Sequence, residues 1–238
     1  MKKLISLFLG VSVLLLAACS KQPDTASSEQ KNDAAGLQTV VIASTGSDAD
    51  IWRHIASLPE TKAAGIKLEV KNFTDYVAMN TAVANKEVDL NAFQSYAYLV
   101  AFNAANKDKI APVSTTYLEP MALYSHKVKK VEEFAQGATI AIPNDGANES
   151  RALLLLQSAG LIKLKPDFDP VKGTPADIIE NSKKIVIKPI QMATAVRVKD
   201  EVDAILLGNT LAMEGGLNVL KDAIFYEPID QSTKLNVN

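Results

Sequence analysis

The 238-residue chain has one cysteine, two histidines, one tryptophan and only 6% aromatics, and each scarcity closes a class of function. A single cysteine, Cys19, cannot form an internal disulfide, so sulfur pairing contributes nothing to the fold. His54 and His126 each stand without a neighbouring nucleophile or carboxylate pair, so no acid–base centre is assembled. His54, beside Trp52 on an expected first helix, reads as a partly buried packing residue. HExxH, GxSxG, GxxxxGK[ST], CxxC and EF-hand patterns are all missing. "GSDAD" at Gly46–Asp50 has two acids two apart, does not continue as a calcium loop and reads as a turn into a helix. The expectation is a protein that is not an enzyme and carries no cofactor. An excess of positive charge is lacking too. Without Lys2 and Lys3 the 25 basic residues fall to 23, against 27 acidic ones, which argues against nucleic acid as a partner.

Long apolar runs are also scarce, and the one present lies at the start. "MKK" is followed by "LISLFLGVSVLLL" and then "LAAC". A run this short, ending in small residues, reads as an export signal and not as a membrane span. Leu16, Ala17, Ala18 and Cys19 resemble the lipobox of bacterial lipoproteins, which implies that residues 1–18 are a signal peptide and that Cys19 is acylated. Each buried methylene of an acyl chain contributes about 0.8 kcal/mol, so two or three chains anchor stably. Residues 19–38 are polar, lack hydrophobic period and read as a flexible tether. Ser20 and Lys21 provide no aspartate retention signal, which leans towards the outer membrane of the cell envelope.

From Thr39 onward, short apolar strands alternate with amphipathic helices, the pattern of an α/β fold with largely parallel sheets. Strands are expected at Val40–Ser44, Ile66–Phe73, within "VDLNAF", "ATIAIPND", "KKIVIKPI" and "VDAILLG". Helices are expected after Thr74 or Asp75, from Gln94 to about Lys107, and over "NESRALLLLQSAG", "QMATAVRVKDE" and "NTLAMEGG". The extended segment Tyr117–Ser125, with Pro120 favouring an edge or a crossover, divides the pattern into two lobes, 39–120 and 121–230. Residues 231–238, ending in "STKLNVN", read as the beginning of a strand that crosses back to the first lobe, cut short at the C-terminus. Met121, Met192 and Met213 read as core filler.

Two stretches stand out as binding candidates. "DLNAFQSYAYL" concentrates rings in an aromatic-poor chain, and tyrosines suit a place half apolar and half wet. "PNDGANESR" puts Asn148 in position to cap a helix and Arg151 in its first turn. A guanidinium beside free backbone N–H groups can grip a carboxylate with two parallel hydrogen bonds. Both stretches follow expected strands, and in open α/β sheets ligands sit beyond the carboxyl ends of strands.

"LEVKNFTDY", "VDLNAFQSYAYL", "LEPMALYS", "IAIPNDGANESRALLLLQSAGLIKLK", "RVKDEVDAILLGN" and "EGGL" together resemble the NlpA family of bacterial lipoproteins, methionine-binding components of ABC importers. The resemblance implies a two-lobed, type II-like periplasmic-binding-protein fold that encloses an amino acid between its lobes. It implies methionine as ligand, an ABC permease and ATPase as partners, and a membrane reached through the lipid anchor. A role beside a permease leans towards the inner membrane, so both membranes stay open. Residue by residue, the family's aromatic pocket matches Tyr76, Phe93 and Tyr98, and its polar clamp matches Asn148 and Arg151, with Arg151 on the ligand carboxylate. Tyr96 falls outside. Ser95 stands where the family usually has histidine, Gly208 where it has asparagine, with Asn209 next, and Leu211 replaces a tyrosine. The smaller Ser95 and Gly208 would open room for a larger ligand, such as a methionine-containing dipeptide. The competing readings are a surface adhesin or scaffold with a vestigial cleft, and a metal-binding importer component using its tyrosines.

Overall fold

A computed structural model describes residues 36–107, 109–228 and 231–238. The signal sequence, Cys19 and most of the tether lie outside the described residues. Among the described residues no helix is long and apolar enough to cross a membrane.

The first half runs β1 (Gln38–Ser44), α1 (Gly46–Ser57), α2 (Pro59–Ala63), β2 (Ile66–Asn72), α3 (Tyr76–Ala84), β3 (Leu90–Asn91) and α4 (Tyr96–Ala105). Its three strands form a parallel sheet of order β2-β1-β3. The second half contains β4 (Met121–Tyr124), β5 (Thr139–Pro143), α5 (Gly146–Ser158), β6 (Lys163–Leu164), β7 (Ile178–Glu180), β8 (Val186–Ile190), β9 (Ala204–Gly208), α6 (Asn209–Glu214) and β10 (Ala223–Tyr226). Here five strands form a sheet of order β10-β4-β9-β5-β8, and β6 pairs with β7. The fold is the expected two-lobed α/β arrangement, with one correction to the strand directions. β5 runs parallel to β8 and β9, whereas β4 is antiparallel to both of its neighbours.

Two separate cores follow from the two sheets. The larger packs Ile140 and Ile142 of β5, Ile205–Leu207 of β9 and Met121–Tyr124 of β4 against Leu153, Leu155 and Leu156 of α5. These side chains are almost wholly buried, and each isoleucine, leucine and methionine among them contributes about 1.5–3 kcal/mol when removed from water. The smaller is built around Ala43, Met79, Ala82 and Val88, with Tyr76 and Phe93 partly buried against it.

Several local expectations change. Pro120 does not put its strand at an edge: β4 begins one residue later and is bonded on both sides, so the missing proline N–H falls outside the ladder. "QMATAVRVKDE" is not an α-helix. Its N–H groups reach back three residues, as from Thr194 to Gln191 and from Val198 to Ala195, because the branched Thr194, Val196 and Val198 resist regular helix. The last segment is a 3₁₀ helix over Gln231–Asn236, not a strand. Only Val237 then bridges Leu118, and its carbonyl accepts from the Tyr96 N–H of the first lobe. His54 is exposed, as is Met213, which is therefore not core filler.

Candidate ligand cleft

The carboxyl ends of five strands converge on one cleft. Beyond β1 stand Thr45 and Asp48; beyond β3, Phe93, Gln94 and Ser95; beyond β5, Asn148 and Arg151; beyond β8, Met192; and at the end of β9, Gly208 and Thr210. Tyr76, Tyr98, Glu119, Leu211 and Asn238 complete the lining. Seven of the expected residues, Tyr76, Phe93, Ser95, Tyr98, Asn148, Arg151 and Gly208, are thus brought together. Asn209 is not: it opens α6 with its amide turned along the helix to Met213 Sδ, 3.3 Å away. Tyr96 lies outside, exposed.

Three rings form the apolar end. Tyr76 and Phe93 have centroids 5.2 Å apart, and Tyr98 meets both edge-on at 6.0 and 5.8 Å, the arrangement that ring quadrupoles favour. Capping places them. Asp75 accepts from the Ala78 N–H and so sets Tyr76 as the first residue of α3. Ser95 accepts from the Tyr98 N–H and caps α4, which fixes Tyr98 one turn in. The loop between them is held by a cluster of amides around the buried Asn80. Asn80 and Gln94 exchange hydrogen bonds at 2.9 Å, and the Asn91 amide donates to Asn80 at 2.8 Å. Burial first, and then Glu119 and Asp145, push the Tyr76 hydroxyl far above its ordinary range, so it remains a neutral donor.

The polar end differs from expectation in its bonding. Asp145, not Asn148, caps α5; Asn148 lies inside the first turn and donates its side-chain amide to Asp145 Oδ1 at 2.9 Å. Burial raises the Asp145 carboxyl above its usual range, against the hydrogen bonds from Asn148. Arg151 is one turn further into α5 and buried. Its fork is engaged by Glu227, with Nε on Oε1 at 2.7 Å and Nη2 on Oε2 at 2.5 Å. Nη2 also donates to the Glu119 carbonyl, and Glu227 accepts from the Met121 N–H and the Asn236 amide. Nη1 alone among the guanidinium nitrogens has no protein hydrogen bond among the described residues.

Asp48 and Glu119 were not among the expected site residues: "GSDAD" reads as a turn and "LEPMALYS" as an extended segment. Asp48 accepts from the Tyr117 hydroxyl at 2.6 Å and from Thr210 Oγ1 at 3.3 Å, which joins α1 to α6. Burial raises its carboxyl, and Glu119 and Glu214 add to the effect against those two hydrogen bonds. Glu214 reaches across from α6 to the Ser47 N–H at 3.0 Å. Among the described residues no three His, Cys, Asp or Glu side chains converge as a metal site.

The cleft holds about 40 Å³, enough for a few water molecules. That is far below the 300–1,000 Å³ of open ligand pockets. At Gly208 the missing side chain faces the Glu119 carboxylate, which a Cβ would meet at 3.0 Å. A larger cavity of about 370 Å³ adjoins it beside α1 and α4, lined mainly by apolar groups including Trp52, Ile55, Leu99 and Val113. It lacks a cation, whereas the smaller cleft combines stacked rings with Arg151, Asn148 and two carboxylates.

Over residues 40–238 the sequence matches the family described as NlpA lipoprotein. It is 37% identical over 228 residues to the probable D-methionine-binding lipoprotein MetQ of Pasteurella multocida, covering 96% of this chain and 82% of that protein. It is 38% identical over 231 residues to outer membrane lipoprotein 2 of Mannheimia haemolytica, with the same coverage. Among solved structures, the substrate-binding protein of a methionine transporter from Streptococcus pneumoniae superposes with a TM-score of 0.77 at 41% identity, over 84% of this chain and 78% of that one. A nutrient-binding protein from Burkholderia cenocepacia bound to methionine gives 0.78 at 35% identity, over 81% of each chain. The match runs through both sheets and every residue of the cleft, and the chain belongs to the NlpA lipoprotein family.

Proposed function

We propose that this protein binds an amino acid, methionine above others, in the cleft and delivers it to the permease and ATPase of an ABC importer, held at the cell envelope by acylated Cys19. The observation that carries this reading is the three-ring cluster facing Arg151 and Asn148 across one cleft. An amino acid with a long apolar side chain needs such a site: rings for the side chain and a charged donor for the carboxylate. The relatives' names and the methionine-bound structural neighbour support the same ligand. The sheets draw their strands from residues 38–91 and 121–226, which supports lobes at 39–120 and 121–230. Tyr76, Phe93 and Tyr98 take the thioether side chain, Asn148 orients the polar head, and Arg151 offers Nη1 to the carboxylate. Ser95 and Gly208 act through the backbone, Ser95 as a helix cap and Gly208 by leaving space for Glu119. The protein performs no chemistry on its ligand.

Methionine and alanine share the polar head and differ in the part assigned to the rings. Burying the thioether chain contributes about 1.5–3 kcal/mol, so methionine should bind roughly 10- to 150-fold more tightly than alanine in a calorimetric titration. Equal affinities would remove the ring cluster from the site.

A further inference from the structure

We propose that Glu119 is the specificity-determining residue for the positive end of the ligand, the acceptor of a primary ammonium, and that Gly208 is what allows it to stand there. This rests on the amino-acid-binding reading above and adds a residue to it. The charges around the cleft point to a cationic group. Its lining carries one cation, Arg151, and that charge is already matched by the two-pronged contact with Glu227. Asp48 and Glu119 remain on the negative side. Asp48 has two hydroxyl donors, from Tyr117 and Thr210. Among the described residues Glu119 has one protein donor on each oxygen: the Thr210 N–H on Oε1 at 2.5 Å and the Asn238 amide on Oε2 at 3.2 Å. A carboxylate offers about four acceptor directions, so each oxygen keeps one for a ligand.

Position agrees with charge. An α-amino acid carries its ammonium and its carboxylate on the same carbon, so their partners must be neighbours. Arg151 Nη2 donates to the main-chain carbonyl of Glu119 itself, at 2.5 Å, which sets the two residues side by side. Gly208 supplies the space. A Cβ at 208 would lie 3.0 Å from Glu119 Oε1, tighter than an ordinary contact, so the carboxylate would have to shift by a few tenths of an ångström. The glycine's φ is ordinary, so it is the nearness of Glu119, and not backbone conformation, that a side chain would disturb.

The test compares L-methionine with 4-(methylthio)butanoate, which keeps the side chain and the carboxylate and lacks the ammonium. Calorimetric titration of the wild type should show methionine bound more tightly by roughly 10- to 150-fold, the range for a hydrogen bond to a charged group. Glu119→Gln keeps an acceptor for the Thr210 N–H and removes the charge. It should weaken methionine until that ratio falls below about threefold, with the des-amino acid unchanged. Gly208→Ala, which leaves Glu119 in place chemically, should reduce the ratio in the same direction. A ratio preserved in both variants would overturn the assignment while leaving methionine binding intact. A wild type that binds the two compounds equally would also overturn it. A wild type that binds neither would overturn this inference and the amino-acid reading together.

Discussion

At the scale of single residues, Arg151 shows how far a sequence can be read. Its place on the helix after "PND" was legible, because turn residues followed by an apolar run announce a strand, a loop and a helix start. Its partner was not. Glu227 lies 76 positions away in a segment without period, and only the folded sheet brings the two together. The pair is buried on both sides, with side chains 8% and 10% exposed, so its members are energetically tied. Arg151→Ala should abolish methionine binding and also destabilise the fold by about 3–5 kcal/mol, since it leaves Glu227 buried without a counter-charge. Replacing both, Arg151→Met with Glu227→Gln, should recover most of that stability and none of the binding. Thermal melts and titrations on the three proteins separate the effects. Recovery of binding in the double variant would show that Arg151 serves the fold alone. Asp48 read only as part of the "GSDAD" turn and Glu119 only as part of the "LEPMALYS" stretch, because the partners that draw each acid into the cleft lie far away in sequence.

Among the elements, strands and helices with strong periodicity stood where the pattern placed them. "ATIAIP" and "RALLLLQ" became β5 and α5, whose apolar residues fill the larger core. β3 fell within "VDLNAF" as expected, whereas β6 was missed, since its two residues carry no period. The aromatic stretch was legible as a site, but what holds it was not. Asn80, Asn91 and Gln94 come from α3, β3 and the loop beyond, and their amides satisfy one another at a partly buried position. Asn80 is fully buried. Asn80→Ala should leave the half-buried Asn91 and Gln94 amides short of partners, cost about 0.5–1.5 kcal/mol in a denaturant titration, and weaken methionine by freeing Phe93. Unchanged stability would mean that the amide ring does not hold the loop.

For the molecule as a whole, two lobes were legible because the strand–helix alternation is interrupted once, at Tyr117–Ser125. How the lobes meet was not, because the joining contacts pair residues 162 and 167 positions apart. Asp48 on Thr210 and Glu214 on the Ser47 N–H link α1 to α6, and a ligand as large as methionine enters only if such contacts part. A cleft of about 40 Å³ is smaller than methionine needs, so the proposed binding requires these contacts to part. The central claim is that this cleft takes methionine. Mass spectrometry of the intact, non-denatured protein after addition of L-methionine tests it most directly. The predicted result is one bound methionine per chain, lost when Arg151 and Glu227 are both replaced. A spectrum of the wild type without bound methionine would contradict the account.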